Sequence, residues 1–360
     1  MSEPALQRDA DCETALVAAL QAAREAKRPL YVRGGDSKRD VLGRACEAAP
    51  LDVAAHRGIL DYQPGELVIS ARAGTSVAAI QAALDEHRHM LPSEPPLFGG
   101  SATIGGTLAC NLSGPGRPWR GATRDSVLGV KLLNGKGELL NFGGRVMKNV
   151  AGYDVSRLQA GAMGTLGVLC EITLRVVPQP EHSVTLGFEL PAAQALTMML
   201  QRAAQPAPLS AACWVDGRLH LRLSGAASAV RSTAQQWGGE PVADANDLWA
   251  SLREMTHPFF SGDAPLWRLS LNSAAAVDNG EETLIDWGGA QRWLRAPHNA
   301  GAMHAKARAG GGHACLFRGG DRSGEVRAPL PEAQQRVQQK LKHAFDPDGL
   351  LNPGRLYSWL

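Results

Sequence analysis

The chain has 360 residues, of which 44% are hydrophobic and 20% charged, with a net charge of +2. That length allows two domains with substantial cores, and the composition excludes a disordered chain or a collagen-like repeat. The near-neutral balance leaves no electrostatic footprint for nucleic acid or an anionic membrane surface. The six cysteines, at 12, 46, 110, 170, 213 and 315, form no Cys-x-x-Cys pair, so neither a zinc knuckle nor an iron–sulfur cluster is encoded and reduced core thiols are expected. Met1–Asp11 is polar, and no apolar run of about 18 residues, the length that spans a bilayer, occurs. The default is a cytoplasmic protein that meets a membrane only through another subunit.

In chain order, Cys12–Lys27 places Leu16, Ala19, Leu20 and Ala23 on one helical face, and Pro29 closes that helix. The strand Leu30–Val32 opens into Arg33-Gly34-Gly35-Asp36-Ser37-Lys38, a loop of exposed amides and hydroxyls suited to a phosphate contact. Taken alone, such a loop is more often an ordinary turn. Leu51–Val53 and Leu67–Thr75 read as strands, with Thr75 as the cap of a helix over Ser76–His87.

Pro92, Pro95 and Pro96 then stiffen the approach to the central stretch, Leu97 to Gly114. Its Gly99, Gly100, Gly105, Gly106 and Gly114, interleaved with Ser101, Thr103 and Ser113, leave the main chain open to an anion. A short helix after Gly105-Gly106 is expected to aim its N-terminal amides at the same anion. Gly106 stands where a Walker loop needs lysine, and no glycine stretch has the Rossmann spacing, so a bound dinucleotide implies another fold.

Val127–Leu133 and Leu139–Phe142, joined by Asn134-Gly135-Lys136-Gly137, form a hairpin. A third glycine cluster, Gly161 to Gly167, feeds the strand Val168–Val177, halted by Pro178 and Pro180. That punctuation marks the domain boundary. Strands at Val184–Leu190, Ala211–Val215 and Leu219–Leu223 alternate with helices at Ala192–Arg202 and Ala226–Trp237, an α+β arrangement. Further strands are expected at Leu266–Leu271, Thr283–Asp286 and Gln291–Leu294, a helix over Arg295–Ala309 after Pro297, and another over Pro331–Phe345. The tail Asp346–Leu356 is extended, its two prolines excluding helix.

Four motifs in order, Arg33–Lys38, Gly99–Gly114, Gly161–Val168 and the Asp-Pro-x-Gly-x-x-Asn-Pro-Gly tail at Asp346–Gly354, resemble the FAD-linked oxidases of the vanillyl-alcohol oxidase, or PCMH, type. The segment Lys148-Asn149-Val150-Ala151-Gly152-Tyr153-Asp154 and the stretch Thr256–Phe260 resemble the E-subunit branch found in bacterial glycolate oxidases, which also contain a larger flavoprotein subunit and an iron–sulfur subunit.

The resemblance implies an α+β fold: a PCMH-type FAD-binding domain of two α+β subdomains over residues 1–180, a smaller α+β cap over 181–345, and a tail, 346–360, returning to the FAD domain. It also assigns FAD contacts. Arg33, Gly34, Gly35, Asp36 and Ser37 would cradle the pyrophosphate. Gly99, Gly100, Ser101, Thr103, Ile104, Gly105, Gly106, Asn111, Ser113 and Gly114 would meet pyrophosphate and flavin. Gly164, Thr165, Gly167 and Val168 would approach the adenine side, and Asn352 and Arg355 the ring.

Departures refine this. Covalent-flavin relatives often carry a histidine after the Arg-Gly-Gly loop; Asp36 stands there, so non-covalent FAD is expected. Asp36 and Lys38 replace smaller residues, which predicts lower affinity for FAD. Catalytic 2-hydroxy-acid members carry a His-x-Gly-Asp-Gly-Asn-x-His segment, where this chain has Gly310-Gly311-Gly312-His313-Ala314-Cys315-Leu316-Phe317. None of His298, His304 and His313 has a partner at ligand spacing, so no metal is expected and His313 is read as structural.

The resulting expectation is an FAD-dependent oxidoreductase subunit of a complex that oxidises glycolate or a similar small 2-hydroxy acid and passes electrons to the larger flavoprotein and iron–sulfur partners, peripheral to the inner membrane at most. No catalytic residue is assigned. Two alternatives stay open: a self-sufficient dehydrogenase using cap arginines among Arg268, Arg292 and Arg318 to hold a carboxylate, and an assembly subunit that has lost functional FAD.

Overall fold

The structure, a computed structural model, describes residues 9–144, 154–277, 283–295, 297 and 299–360. The Lys148–Tyr153 motif and His298 lie outside the described residues.

Leu16, Leu20 and Ala23 are buried along one side of α1 (Glu13–Glu25), as their spacing requires. The chain then enters β1 (Leu30–Arg33), which pairs in parallel with β2 (Ala49–Asp52). The tail joins this small sheet: Leu30 N–H donates to Leu350 O, and Asn352 N–H donates to Leu30 O. A second sheet of five strands has the order β3-β4-β7-β5-β6, with β3 Ile59–Gln63, β4 Val68–Arg72, β5 Val127–Leu133, β6 Leu139–Gly143 and β7 Val168–Arg175, all antiparallel. In the β5–β6 turn the Asn134 side-chain oxygen accepts from Lys136 N–H and Glu138 N–H, the local bonding that makes Asn-Gly a hairpin signal. Between β4 and β5 lie α2 (Val77–Asp85) and α3 (Ile104–Cys110). Ser76, not Thr75, caps α2, because the Thr75 hydroxyl is engaged with the backbone of Gly58 and Arg72 while Ser76 Oγ accepts from Ala79 N–H.

The second lobe is built on an eight-stranded antiparallel sheet of order β11-β8-β10-β9-β13-β14-β12-β15. Its strands are β8 His182–Glu189, β9 Leu209–Val215, β10 Arg218–Gly225, β11 Glu240–Pro241, β12 Leu266–Ser270, β13 Thr283–Asp286, β14 Gln291–Arg295 and β15 His313–Arg318. Helices α4 (Ala192–Ala203), α5 (Ala227–Trp237), α6 (Ala245–Glu254) and α7 (Ala300–Ala309) connect them. Residues 310–317, which the sequence marks only as a degenerate motif, lead into and form most of the edge strand β15, and α6 has no counterpart among the expected elements. The helix expected from Arg295 begins at Ala300, where Asn299 accepts from Ala302 N–H.

Helix α8 (Glu332–Phe345) turns back to the first lobe, where Gly135 N–H donates to Phe345 O and the Phe345 ring meets Phe142 edge-on. Buried Lys342 donates to Thr165 O, Leu351 O and the Asp346 carboxylate, fixing the tail against the third glycine cluster. One hydrophobic core fills the first lobe. Another is shared, with Val41, Leu42, Leu112 and Met163 packing against Trp249, Phe259, Phe260, Trp293 and Phe317 of the second lobe. An apolar interlobe contact of this kind opposes free domain motion.

Candidate functional site

Four distant segments converge on one open cleft of about 710 Å³. The β1 loop, Tyr31–Arg39, forms one wall; Thr103, Gly105, Gly106, Ala109 and Cys110 of α3 and its cap form another; Met163, Gly164, Gly167, Asn352 and Arg355 close the end. The loops can meet because they lack side chains at the crossing. A Cβ on Gly35 would stand 1.6 Å from Ser101 O, and one on Gly34 2.3 Å from the Thr103 hydroxyl. Gly164 has φ +74°, and a Cβ there would reach Asn352 Nδ2 at 2.7 Å.

At the expected anion contact on α3, the amides of the first helical turn already have partners within the chain. Ile104 N–H donates to Thr75 O, Gly105 N–H to Ala73 O, and Gly106 N–H and Thr107 N–H to the Thr103 side chain and carbonyl. All four amides are committed within the chain, the first two because the helix start packs on the segment after β4 and the other two because Thr103 caps the helix. A run of amides without partners lies opposite: among the described residues, the N–H groups of Gly34, Gly35, Asp36, Ser37 and Lys38 make no hydrogen bond. Arg33 Nε is also buried without a partner.

Asp36 does not oppose an anion here. Its carboxylate accepts from the Tyr31 hydroxyl at 2.8 Å and lies 3.9 and 3.7 Å from the guanidiniums of Arg33 and Arg39. Burial, reinforced by that hydrogen bond, raises the Tyr31 pKa, keeping the donor protonated. Lys38 adds a buried positive charge to the cleft. It is only 6% exposed, its ammonium donates to Ser37 Oγ at 3.3 Å and sits 5.4 Å from the centre of the Phe98 ring, and among the described residues no carboxylate pairs with it. Burial pushes its pKa down, against the pull of Cys110 and Glu254. A buried cation without a counter-ion is costly unless an anion joins it. The sequence pattern, in which Lys38 replaces a smaller residue, predicts weaker FAD binding; the signal for the opposite role is its place just after the glycine turn.

Asn352 and Arg355 build the cleft's end. The Asn352 side chain accepts from Val32 N–H at 2.6 Å and donates to Met163 O at 2.5 Å, stapling β1 to the third glycine cluster. Arg355 spends its guanidinium on the carbonyls of Lys38, Arg39 and Arg44 and so shapes the loop.

The remaining sequence candidates lie elsewhere. Gly99, Gly100 and Ser101 are exposed at the rim. Ile104 and Val168 are core residues. Asn111 ends α3 and accepts from Arg124 N–H, and the Thr165 hydroxyl donates to Ala162 O. Ser113 and Gly114 belong to a second, smaller cleft of about 390 Å³ between the lobes, faced by Met255, Asp286, Gln291 and Trp293. Burial raises the Asp286 pKa to about 7, despite hydrogen bonds from Trp287 N–H and Gln291. The lobes are tied beside it: the Glu254 carboxylate accepts from Leu97 N–H and Phe98 N–H, and Glu94 pairs with Arg120 at 2.9 Å and Arg222 at 2.7 Å. Among the described residues no cluster of three or more histidine, cysteine or carboxylate side chains could hold a metal, and no helix is long and apolar enough to cross a membrane.

The unbonded amides, the orphaned Arg33 Nε and the uncompensated Lys38 fit an elongated ligand carrying negative charge at the β1 loop. Comparison with known proteins gives the same direction. Residues 5–143 match a family model described as an FAD binding domain. The chain is 46% identical to glycolate oxidase subunit GlcE of Escherichia coli (strain K12) over 354 residues, covering 98% of this chain and 99% of that protein. Glycolate oxidase subunit GlcD of Bacillus subtilis (strain 168) is 34% identical over 128 residues, 36% of this chain and 27% of its own. Among solved structures, an alkyldihydroxyacetonephosphate synthase superposes with a TM-score of 0.63 at 14% identity, covering 94% of this chain and 74% of the synthase, a likeness of fold.

Proposed function

Since the chain belongs to the GlcE family of glycolate oxidase subunits, we propose that it is the FAD-binding subunit of a glycolate oxidase complex, oxidising glycolate or a similar 2-hydroxy acid to the 2-oxo acid and passing the electrons to partner subunits. The observation that carries this reading is the β1 loop, where five unbonded amides and buried Lys38 stand in one cleft. When bound, FAD supplies the two-electron acceptor for the hydroxy acid. The chain's own residues bind and orient it. The amides of Gly34–Lys38, with Lys38 and Arg33, would hold the pyrophosphate. Asn352 and Arg355 keep the cleft's end in shape, and Ser113 and Gly114 would face the ring from the interlobe cleft.

We assign residues 1–180 to the FAD domain, 181–345 to the cap and 346–360 to the returning tail, with α8 lying against the first domain. The flavin is bound without a covalent link, consistent with Asp36 at the position where covalent relatives often place histidine. An iron–sulfur subunit and the larger flavoprotein are the proposed partners, and any membrane contact runs through them.

The test is an absorbance spectrum of the purified chain, alone and with its partners, before and after anaerobic glycolate. A flavin spectrum that is lost on acid precipitation to the supernatant supports non-covalent FAD. Bleaching of the isolated chain would place turnover in this subunit, and bleaching only in the complex would place it with the partners. A chain that neither carries nor takes up FAD would refute the reading.

A further inference from the structure

Glu254 is the last residue of α6 in the second lobe, and it lines neither the β1-loop cleft nor the interlobe cleft, although its neighbours Arg253 and Met255 line the latter. A carboxylate in the last turn of a helix stands at the negative end of the helix dipole, where it costs stability. What offsets that cost lies in the other lobe. Glu254 Oε2 accepts from Leu97 N–H at 3.0 Å and from Phe98 N–H at 2.6 Å, while Oε1 lies 3.1 Å from the same Leu97 nitrogen and accepts from Arg253 Nε at 2.8 Å. The side chain is 18% exposed, so these charge-assisted bonds are little screened by solvent.

The segment held in this way supports the β1 loop. Gly100 N–H and Ala102 N–H donate to Leu97 O, and the Ser101 hydroxyl donates to Phe98 O, which closes residues 97–102 into one turn. The tip of the turn has no packing of its own: Gly99 and Gly100 are exposed, and a Cβ on either would meet nothing within 4 Å. At its entry Phe98 has φ +44°, a left-handed conformation unfavourable for a bulky side chain, and the bonds to Glu254 hold the backbone there. At its exit Ser101 O sits where the β1 loop crosses, 1.6 Å from a Cβ built on Gly35. The Phe98 ring lies 5.4 Å from the Lys38 ammonium. Burial lowers the Lys38 pKa, and the Glu254 charge, together with Cys110, works against it.

We propose that Glu254 is a positioning residue for the flavin cleft, holding the 97–102 turn against the β1 loop so that FAD affinity depends on a side chain of the cap. The proposal rests on the flavin reading of that cleft. Without the carboxylate, Leu97 N–H and Phe98 N–H lose their acceptor, Phe98 is released from its left-handed conformation, and the support under Gly35 and beside Lys38 loosens. Docking of the cap and binding of FAD thereby favour one another, as linked equilibria must.

The experiment is titration of FAD into the FAD-free full chain, followed by flavin fluorescence, together with hydrogen exchange of the FAD-free chain. Glu254→Ala should weaken FAD by about tenfold or more, the scale of one lost hydrogen bond to a charged group, and should speed exchange of the amides in residues 97–102. Glu254→Gln should restore most of the affinity, because one amide oxygen in the place of Oε2 can accept both N–H groups. Val230→Ala, in the core of the cap under α5, separates positioning from stability. It should lower the melting temperature while leaving FAD affinity and exchange at 97–102 unchanged. An FAD affinity of Glu254→Ala equal to wild type, a loss that Val230→Ala reproduces, or unchanged exchange at 97–102 would overturn the inference. If Glu254→Ala fails to fold, Glu254→Asp, which keeps the charge on an arm one methylene shorter, decides by the same two readouts. Wild-type chain that takes up no FAD overturns the flavin reading itself, whereas wild-type uptake matched by the variant overturns only the role of Glu254.

Discussion

Lys38→Met is the sharpest perturbation, because it should move two measurements in opposite directions. The ammonium is buried, bonded only to Ser37 Oγ, and among the described residues no carboxylate pairs with it. A hydrogen bond to a charged group contributes about 1.5–3 kcal/mol, so its loss should raise the FAD dissociation constant roughly 10- to 150-fold. The FAD-free protein should instead become more stable. A lysine whose folded pKa lies below its unfolded value takes up protons less readily when folded. Its burial therefore costs stability below the folded pKa, stability rises with pH between the folded pKa and about 10.5, and the cost is gone above that. Methionine, of similar shape, removes the cost and flattens that alkaline slope. Flavin fluorescence quenching measures the affinity, and thermal melts of the FAD-free chain from neutral to alkaline pH measure the stability. An FAD affinity within about twofold of wild type, with no rise in the apo melting temperature, would refute the argument that Lys38 awaits an anion.

Gly35→Ala forces a methyl onto Ser101 O and should cost about 1–3 kcal/mol while opening the cleft, seen as a lower melting temperature with FAD affinity falling in parallel. Asn352→Ala leaves Val32 N–H and Met163 O unpaired; at about 1–3 kcal/mol for each buried orphan it should lower the urea midpoint and weaken FAD without touching any charge. Asp286, with a folded pKa raised to about 7, holds its proton in the folded state where the unfolded chain has lost it. Its contribution to stability therefore declines as pH rises from about 4 to 7, and Asp286→Asn should remove that component from a stability–pH series; identical pH profiles would show that Asp286 does not titrate in this range.

Much of the fold was legible because it rests on local patterns. The period of Leu16, Leu20 and Ala23 fixed α1, Asn134-Gly135 fixed the β5–β6 turn, and Pro178 and Pro180 marked the passage between lobes. Strand β15 escaped because its Gly310-Gly311-Gly312 lead-in resembles a loop, and its strand character comes from pairing with β12. Helix α6 escaped because the apolar stripe of Trp249 and Leu252 is short and the rest of the segment polar.

At the site the division is similar. The sequence by itself determined which backbone stretches could approach an anion, since missing side chains at Gly34, Gly35 and Gly105 are a local property. Only the tertiary structure decided which amides remained free. The first two α3 amides were consumed by Thr75 O and Ala73 O, about thirty positions earlier, while those of Gly34–Lys38 were left without partners. It likewise decided that Asp36 is neutralised by Tyr31, Arg33 and Arg39, and that Lys38 is not. Hydrogen-bond saturation and charge compensation depend on what long-range packing brings alongside, and no local pattern encodes that.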